Sequence, residues 1–332
     1  MKKRIGITIG DPGGIGPEIV LKALAFHPEI FEACVPVIFG PAAIVQNVMD
    51  DLRLTVPLQT VSPEAVVQNT AGATALLVDL PFDGQPPAYG QICAEGGQIA
   101  FEAITAAIEW ARKKQIAAIA TAPINKQALK LAGIEFTDHT AIFSRVTNSR
   151  HTMTLFVTQN LRIFFYSRHI PLKDVPARLN RRDLLHAIEY SLKYLNQLGI
   201  EGRLAVAALN PHGGDNGLFG DEELKIIHPA VAEAQKRGWR VSGPIPADSV
   251  FYLNLSGHFD AVLSLYHDQG HIAAKTYDFL RTVSFTMGLP FLRTSVDHGT
   301  AMELAGQNKA NEISMVEAIL QAAHYAWPVA TF

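Results

Sequence analysis

Three histidines each follow a short, largely apolar run, and imidazole is the commonest metal ligand among protein side chains. The carboxyl ends of parallel strands meet at one edge of a sheet, so imidazoles there can converge on one divalent cation and leave positions open for substrate. With twelve histidines in the chain, chance placement at strand ends is the alternative. The three are His169, His212 and His267, which follow the predicted strands Arg162–Ser167, Leu204–Leu209 and Ala261–Tyr266.

Two carboxylates stand close to these candidate ligands. Asp268 directly follows His267, and Asp215 is three residues past His212. A carboxylate in such a place can accept a hydrogen bond from a ligating imidazole and fix its orientation. Aspartate is also a common turn residue, so a structural role is the alternative.

A glycine-rich segment, Gly10–Glu18, joins a predicted strand to a predicted helix. Its four glycines let the backbone turn sharply and approach a ligand closely. It is not a Rossmann dinucleotide loop, because the third glycine of G-x-G-x-x-G is missing, and it is not a P-loop, because no Gly-Lys-Ser/Thr follows. The segment is therefore either a tight strand-to-helix turn or a ligand loop of another type.

Other polar side chains stand at comparable places. The segment Thr121–Lys126 follows an apolar run, His139 and Thr140 lie before a helical pattern, and Lys275 and Arg293 follow apolar stretches further on. Each cation alone is typical of a solvated surface. Together at one sheet edge, they would suit a substrate that carries phosphate and carboxylate groups.

The segment Ser295–Gly306 combines glycine, hydroxyl and acidic side chains in a loop that leads towards a helix, with Asn311 a few residues on. Such a loop can bind ribose and adenine. A helix N-cap is the alternative for the same residues.

The elements that must position these groups alternate along the chain. Apolar spacing predicts further strands at Ile5–Ile9 and Ile116–Ala120 and helices at Pro17–Phe26, Phe101–Ala111 and Leu184–Leu195. We expect Asp221 to be the N-cap of another helix, with Glu222 and Glu223 in its first turn. The alternation predicts an α/β protein with a largely parallel sheet.

Composition excludes several classes of protein. The 332 residues include 28 basic and 31 acidic side chains, for a net charge of −3, and 48% hydrophobic residues. A globular chain with this balance lacks the basic surface of a nucleic-acid-binding protein. Two cysteines exclude a disulfide framework and a cysteine-rich zinc site, and no run of about 18 apolar residues predicts a membrane span. We therefore expect a cytoplasmic protein with no membrane or nucleic-acid partner.

Five segments, in order along the chain, resemble motifs of the 4-hydroxythreonine-4-phosphate dehydrogenase (PdxA) family, and the resemblance spans essentially the whole chain. The first and last segments are also similar to loops of isocitrate and isopropylmalate dehydrogenases. The five are Gly-Asp-Pro-Gly-Gly-Ile-Gly-Pro-Glu at 10–18, Thr-Ala-Pro-Ile-Asn-Lys at 121–126, Leu-Asn-Pro-His at 209–212, Tyr-His-Asp-Gln-Gly at 266–270 and Arg-Thr-Ser-Val-Asp-His-Gly-Thr-Ala at 293–301.

This resemblance implies two α/β/α domains with an isocitrate/isopropylmalate dehydrogenase-like fold and an active site in the interdomain cleft. We expect residues 1–125 and 286–332 to form the domain on the cofactor side. Residues 126–285 would form the domain that carries the metal and the dimer contacts. The family also implies a homodimer in which the partner completes the metal sphere.

The resemblance further implies an NAD-dependent oxidation at a metal-bound hydroxyl, followed by loss of the neighbouring carboxylate as carbon dioxide. The metal would be zinc, nickel, cobalt, manganese or magnesium. Lys275 and Asp268 are the candidates for the general base, and the sequence does not choose between them. By motif, the metal ligands are His169, His212 and His267, the substrate-binding residues are His139, Thr140, Lys275, Ser284 and Arg293, and the cofactor-binding residues are Gly10, Asp11, His298, Gly299, Thr300, Glu303 and Asn311.

The implied substrate is a 4-phosphorylated four-carbon hydroxy acid. It would be 4-phosphooxy-L-threonine in pyridoxine biosynthesis, or 4-phospho-D-threonate or 4-phospho-D-erythronate in sugar-acid catabolism. Ala141 and Ser284 stand where the family often has Glu and Asn, so the sequence leaves the substrate open among these acids. Without the resemblance, the residues also leave open a metal-dependent hydrolase and a non-catalytic phosphate- or nucleotide-binding protein.

Overall fold

The structure is a computed structural model, and it describes residues 2–65 and 74–330. It divides into two compact units. Unit 1 comprises residues 1–152 and 283–332, and unit 2 comprises residues 153–282. No helix in the described part of the chain is long and apolar enough to cross a membrane.

Strands and helices alternate along most of the chain. The strands are β1 Lys3–Thr8, β2 Cys34–Gly40, β3 Leu58–Val61, β4 Ala75–Asp79, β5 Ala118–Thr121, β6 Met153–Thr158, β7 Leu161–Phe165, β8 Leu204–Ala207, β9 Val241–Ile245, β10 Ala261–Ser264, β11 Val283–Met287 and β12 Leu292–Val296. The helices are α1 Gly16–Phe26, α2 Glu29–Ala33, α3 Ala42–Leu52, α4 Ala94–Arg112, α5 Lys126–Leu131, α6 His139–Val146, α7 Val175–Arg178, α8 Arg181–Gln197, α9 His228–Lys236, α10 Ala247–Leu255, α11 His267–Tyr277 and α12 Ile313–Tyr325.

Unit 1 contains strands in the order β3-β4-β2-β1-β5-β12-β11. All neighbouring pairs are parallel except β11 and β12, which are antiparallel. The carboxyl ends of β1, β5 and β12 therefore meet at one edge, since these three strands are adjacent and parallel. Segments that follow them in sequence start side by side in space.

Helices cover both faces of this sheet. Successive side chains of a strand point to opposite faces, and Arg293 and Thr294 of β12 show the two environments. Arg293 lies over the ring of Phe143 on α6, whereas the Thr294 hydroxyl donates to the Ala318 carbonyl of α12 at 2.7 Å. Unit 1 is thus an α/β/α sandwich.

The core of unit 1 between the sheet and α4 is apolar and aromatic. The helix repeats buried Ala and Ile residues at three- and four-residue spacing, which places one stripe against the sheet. Phe39 on β2 and Trp110 on α4 meet edge to face with ring centroids 5.5 Å apart. Phe143 and Phe291 make a second such pair at 6.1 Å. This packing holds the helix rigidly on the sheet.

Unit 2 contains strands in the order β6-β7-β10-β8-β9. The pairs β7–β10, β10–β8 and β8–β9 are parallel, and β6–β7 is an antiparallel hairpin. The carboxyl ends of β7, β10 and β8 meet at one edge, and these are the strands that precede His169, His267 and His212. The largely parallel α/β architecture predicted from the sequence is confirmed.

The units do not divide at the predicted residues. We expected residue 126 to begin the second domain, but residues 126–152 belong to unit 1. The reason is packing: α5 and α6 lie against α4, and Leu129, Ile142 and Phe143 join the core cluster beneath that helix. The division instead falls at residues 152 and 282, and residues 283–285 belong to β11 of unit 1.

Most elements match their predictions to within a few residues, whereas α4 begins seven residues before the predicted Phe101. The helix expected after Asp221 is present: the Lys225 amide donates to the Asp221 carbonyl at 2.8 Å, and Glu222 and Glu223 stand at its start. A π-helical turn spans Glu223–Ile227 and continues into α9, and the Glu223 side chain is 1% exposed. Its carboxylate is directed into the protein, where it binds backbone groups described below.

Candidate functional site

The two segments predicted to bind the cofactor lie against each other in unit 1. The Ile15 amide donates to the Thr300 carbonyl at 2.9 Å. A Cβ atom at Gly14 would lie 2.7 Å from the same carbonyl oxygen, closer than Cβ atoms are found to any neighbour. Glycine is therefore required at position 14 for this close approach. The structure thus brings the glycine loop and the loop after β12 together.

A second glycine brings the same loop to the end of β5. Gly10 has a φ of +72°, and a Cβ there would lie 2.3 Å from the Pro123 carbonyl oxygen. The next amide, that of Asp11, donates to this carbonyl at 3.1 Å. Both the left-handed backbone and the close approach explain why glycine stands at this position. The motifs at 10–18 and 121–126 are neighbours.

The Asp11 carboxyl group is fully buried beside this loop. Its Oδ1 accepts a hydrogen bond from the Gly13 amide at 2.9 Å, and its Oδ2 is buried with no hydrogen-bond partner in the described part of the chain. Burial raises the pKa of Asp11 from 3.8 to about 6, and the hydrogen bond from Gly13 offsets part of that rise. The group is therefore partly protonated near neutral pH.

Arg293 is buried within unit 1, with 4% of its surface exposed. Its guanidinium donates to the Thr121 hydroxyl from Nη2 at 2.7 Å and from Nε at 3.1 Å, and to the Thr286 hydroxyl from Nη1 at 3.0 Å. These contacts fix the planar fork of the side chain in one orientation. They do not put the group on an exposed substrate surface, so its predicted contact with substrate stays a prediction.

His139 begins α6, and its Nε2 atom is buried with no partner among the described residues. The Asp138 side chain caps this helix by accepting from the Ala141 amide at 2.9 Å, and Thr140 lies in the same first turn. Burial, together with the Arg293 guanidinium, holds the pKa of His139 well below its usual value, and a hydrogen bond to the Ala122 backbone opposes this in part. The ring is therefore neutral at pH 7, and Nε2 can accept a hydrogen bond from a ligand.

A cavity of about 390 Å³ lies beside these segments in unit 1. Its volume is in the range of small-molecule sites. A Cβ at Gly299 would meet no atom within 4 Å, so the backbone there borders open space. The charged and titratable side chains that line the cavity are Lys126, Asp138, His139, Asp297 and His298.

Ser284, Glu303 and Asn311, the remaining predicted site residues of unit 1, do not line this cavity. Ser284 is paired in register with Ser295, which lines the cavity. Glu303 is exposed in a single 3₁₀ turn, Met302–Leu304. The Asn311 side chain accepts a hydrogen bond from the Ile313 amide at 3.0 Å and so helps to start α12. The structure gives Asn311 a structural role and leaves its contact with cofactor a prediction.

In unit 2, one helix carries two of the predicted catalytic and metal-binding groups. His267 is the first residue of α11, and His271 and Lys275 follow at intervals of four. Residues four apart lie on the same face of a helix, so these three side chains form a stripe. The His267 and His271 rings stack with centroids 3.6 Å apart and planes 10° from parallel. Lys275 Nζ lies 5.1 Å from the centre of the Phe279 ring.

His169 and His267 come close enough to share a metal ion. Their ring centroids are 5.8 Å apart. Two imidazoles bound to one cation at about 2.1 Å would have centroids roughly 5–6 Å apart. Asp268 Oδ1 lies 2.7 Å from His267 Nδ1, which leaves Nε2 as the ligating atom and supplies the orienting carboxylate that such sites use. The donor chemistry of this pair fits a divalent metal.

His212 does not form a three-ligand metal site with His169 and His267 in this structure. Within residues 2–65 and 74–330, no three His, Cys, Asp or Glu side chains are arranged to hold a metal ion together. His212 is exposed and begins five consecutive residues with positive φ, His212–Asn216, at φ values from 42° to 80°. The structure thus brings together two of the three predicted ligands, and the third stays a prediction.

Glu223 holds the backbone that leads to His212, and sequence reasoning missed this role. Its Oε1 accepts hydrogen bonds from the amides of Leu209 and Asn210, both at 2.8 Å, and its Oε2 accepts from Asn210 Nδ2 at 2.9 Å. The loop after β8 is thereby fixed at Leu209 and Asn210. Glu223 lies 13 and 14 residues downstream of these two residues, so no local sequence signal indicates the contact.

A second cavity, of about 280 Å³, lies in unit 2 beside the paired histidines. Arg168, His169, Tyr266, His267 and Asp268 line it. Arg168 was not among the predicted residues, although it directly precedes His169. His271 was also missed. Its spacing of four from both His267 and Lys275 is a signal that would have found it, given a helix that begins at His267.

Comparison with known proteins identifies the family. Residues 32–322 match the family model described as "Pyridoxal phosphate biosynthetic protein PdxA". A Symbiobacterium thermophilum protein named "Putative D-threonate 4-phosphate dehydrogenase" is 49% identical over 324 residues, which cover 97% of this chain and 96% of that protein. A Clostridium botulinum protein of the same name is 44% identical, with coverage of 98% and 97%.

A solved structure is similar over its whole length. The crystal structure of 4-hydroxythreonine-4-phosphate dehydrogenase from Klebsiella pneumoniae superposes with a TM-score of 0.89 at 38% identity, and covers 98% of each chain. Dehydrogenases thus share both the sequence and the fold described here, which leaves hydrolysis and non-catalytic binding without support. The chain belongs to the PdxA family of dehydrogenases.

Proposed function

We propose that this protein catalyses the NAD-dependent and divalent-metal-dependent oxidation and decarboxylation of a 4-phosphorylated four-carbon hydroxy acid, as a cytoplasmic homodimer. One observation carries the proposal. Three segments that are far apart in sequence, at 10–16, 121–126 and 293–300, meet at the carboxyl ends of β1, β5 and β12 beside a 390 Å³ cavity. Ligands of α/β proteins bind at such edges.

The glycine loop and the loop after β12 are the proposed cofactor site. Their backbones touch through Ile15 and Thr300, and the backbone at Gly299 borders open space. Gly10, Asp11, His298, Thr300 and Glu303 lie on these two loops, with Asn311 beyond them. When bound, NAD would accept the hydride, and the loops only have to place it.

His169, His267 and His212 are the proposed metal ligands. The first two have the spacing and the orienting carboxylate that a shared metal requires. A bound divalent cation would polarise the substrate hydroxyl and stabilise the charge left after carbon dioxide is lost. The exposed His212 would have to move, or a partner subunit would have to complete the site.

The proton of the substrate hydroxyl goes to a base on α11. Lys275 and Asp268 both lie on this helix, and the spacing of the stripe favours Lys275, because it shares a helix face with His267. Asp268 is already engaged with His267 Nδ1, which suits it to orienting that ring. We therefore propose Lys275 as the general base.

The neutral His139 ring is suited to a substrate hydroxyl rather than to the phosphate. A phosphate dianion offers acceptors only, and Nε2 of this neutral ring is itself an acceptor. Lys126, which lines the same cavity, and the buried Arg293 supply the positive charge that a phosphate or carboxylate needs.

Among the candidate acids, we favour D-threonate 4-phosphate. The support comes from the two relatives of that name, which are 49% and 44% identical to this chain. The similar solved structure carries the name of the L-threonine-derived activity at 38% identity. The two candidate substrates differ at C2, which carries a hydroxyl in one and an amine in the other. This chain is more similar in sequence to the two relatives named for the hydroxy acid than to the solved structure.

The deciding experiment is an NADH-formation assay with 4-phospho-D-threonate, 4-phospho-D-erythronate and 4-phosphooxy-L-threonine, each with and without added divalent metal. We expect the highest kcat/KM with 4-phospho-D-threonate, and carbon dioxide released in step with NADH. Unphosphorylated D-threonate is the matched control. The proposal fails if no acid reduces NAD, and its phosphate requirement fails if D-threonate reacts as well as its ester.

A further inference from the structure

A buried ion pair on α1 holds the backbone of one residue in the loop before α12. Glu18 and Lys22 are one turn apart, and Lys22 Nζ lies 2.7 Å from Glu18 Oε1. Their side chains are 3% and 7% exposed. Glu18 Oε1 accepts a hydrogen bond from the Ala310 amide at 3.0 Å, and Lys22 Nζ donates to the Ala310 carbonyl at 2.9 Å. Both backbone groups of Ala310 are therefore held by one ion pair.

Burying this ion pair is unfavourable compared with burying apolar side chains in the same place. Removing two charges from water costs free energy, and an apolar pair of similar volume is often as stable or more so. Glu18 Oε2 is in addition buried with no hydrogen-bond partner in the described residues. What an apolar pair could not do is bind an amide and a carbonyl at once. The pair therefore makes sense as a device that fixes the backbone at Ala310.

The same helix also governs the other end of the loop. Ile15, directly before α1, donates to the Thr300 carbonyl, and Gly14 lies in contact with Thr300. Between these two anchors, residues 306–309 are exposed, and Gly306 and Asn308 have positive φ. Residues 14–22 thus contact the segment 300–310 at both ends, while residues 306–309 between the two anchors are exposed.

We propose that Glu18 and Lys22 are positioning residues for the cofactor: by clamping Ala310, they set the shape of the 300–310 segment against which the adenosine half of NAD binds. This inference rests on the proposed function, because that segment is the proposed cofactor site. It gives a role to two residues that are not among the proposed substrate- or cofactor-binding residues. Loss of the clamp would weaken cofactor binding and leave the chemistry and the binding of the acid largely unchanged.

The test variant is the double substitution Glu18→Gln/Lys22→Met. It removes both charges together, since a single change would leave an unpaired buried charge and could prevent folding. Glutamine keeps an acceptor for the Ala310 amide, while methionine loses the bond to its carbonyl. Val48→Ala on α3 is the control, because it removes buried apolar volume in unit 1 and touches none of these hydrogen bonds.

Two measurements separate the clamp from the proposed function. Hydrogen exchange of the segment 305–312 in the cofactor-free protein should speed up several-fold in the double variant and not in Val48→Ala. In steady-state assays, the double variant should raise KM for NAD about three- to tenfold, the effect of about one hydrogen bond, with kcat and KM for the phosphorylated acid within about twofold.

The proposal is overturned if exchange of 305–312 is unchanged, or if KM for NAD and KM for the acid rise together. A parent protein that does not bind NAD by calorimetry would refute the proposed function and the positioning role with it. The exchange result would then show separately whether the ion pair holds the loop. NAD affinity that falls equally in Val48→Ala would assign the effect to general destabilisation and overturn the proposal as well.

Discussion

Asp11 is a buried acid whose protonation state changes within the working pH range. Its pKa is about 6 in the folded protein and 3.8 in the reference state, so the folded state disfavours the charged form. The stability associated with the neutral group is fully present below pH 3.8 and is lost as the pH rises through 6.

We therefore expect Asp11→Asn to change the pH profile of stability. Relative to the parent, its free energy of unfolding should rise between pH 4 and pH 7.5 by up to about 3 kcal/mol, from a shift of roughly two pKa units. Denaturant unfolding at both pH values measures this. A constant difference between the two proteins across this range would show that Asp11 does not titrate there.

His267 is the residue on which the metal hypothesis depends most. His267→Ala should reduce bound metal at least tenfold and abolish NADH formation, because the ligand and its oriented ring are both lost. The fold should survive, since 39% of the side chain is exposed. Mass spectrometry measures the bound metal, and far-UV circular dichroism tests whether the fold is retained. His186→Ala on α8 is the control, and normal metal content in His267→Ala would exclude the site.

The sequence predicted individual polar groups best where a local pattern placed them. His169 and His267 follow strands that apolar runs reveal, and the structure puts their rings 5.8 Å apart. The direction of a long side chain is not a local property. Glu223 was expected only as an acidic residue in the first turn of a helix, and the structure buries it. Arg293 is enclosed by two threonine hydroxyls from other strands. Only tertiary packing decides such cases.

At the scale of elements, the π-helical turn Glu223–Ile227 controls the loop after β8. Glu223→Ala leaves two partly buried backbone amides without this acceptor, which should cost about 1–3 kcal/mol of unfolding free energy. Glu223→Gln keeps one acceptor oxygen and should cost less than half as much. Chemical unfolding of both variants tests this order. Equal losses would mean that charge, and not the amide contacts, is what matters.

The loop after β12 should select NAD over NADP. Its stretch Glu303–Lys309 carries one acid and one cation. The cation, Lys309, donates from Nζ to Gln307 Oε1 at 3.1 Å, and the stretch has no second cation that could help to bind a phosphate. A 2′-phosphate is usually held by arginine, which this stretch lacks. We expect kcat/KM to be at least tenfold higher with NAD. Equal efficiency with NADP would contradict this assignment.

Element boundaries were harder to predict than element types. The glycine loop, the parallel strands and the long helices follow from spacing, and the structure has most of them within a few residues, although α4 begins seven residues early. The division of the chain does not follow from spacing. Residues 126–152 contain α5 and α6, and only the contacts of these two helices with α4 assign them to unit 1.

At the scale of the whole molecule, exposed apolar side chains are distributed unevenly. Of 13 large apolar side chains that are exposed among the described residues, nine lie in residues 153–282. Where such side chains form one contiguous patch, they mark an interaction surface. We expect the protein to sediment as a dimer, twice its 36.1 kDa chain mass.

The double variant Leu218→Lys/Tyr252→Lys should shift that dimer towards monomer, because both side chains are about 70% exposed and belong to unit 2. Phe26→Lys, at 58% exposure in unit 1, is the matched control and should remain dimeric. Analytical ultracentrifugation at several protein concentrations distinguishes them. A parent that sediments as a monomer would refute the homodimer.

The order in which the chain is synthesised has a consequence for when the site can exist. Unit 2 is one continuous stretch, so its strands are all available once residue 282 has left the ribosome. Unit 1 cannot finish its sheet then, because β12 pairs with β5 and arrives only at residue 296. At 5–20 residues per second, the half that carries Arg293 and Thr300 is completed seconds after its first strand has emerged. One edge of β5 therefore stays unpaired in the first 150 residues until the last 50 residues have been synthesised.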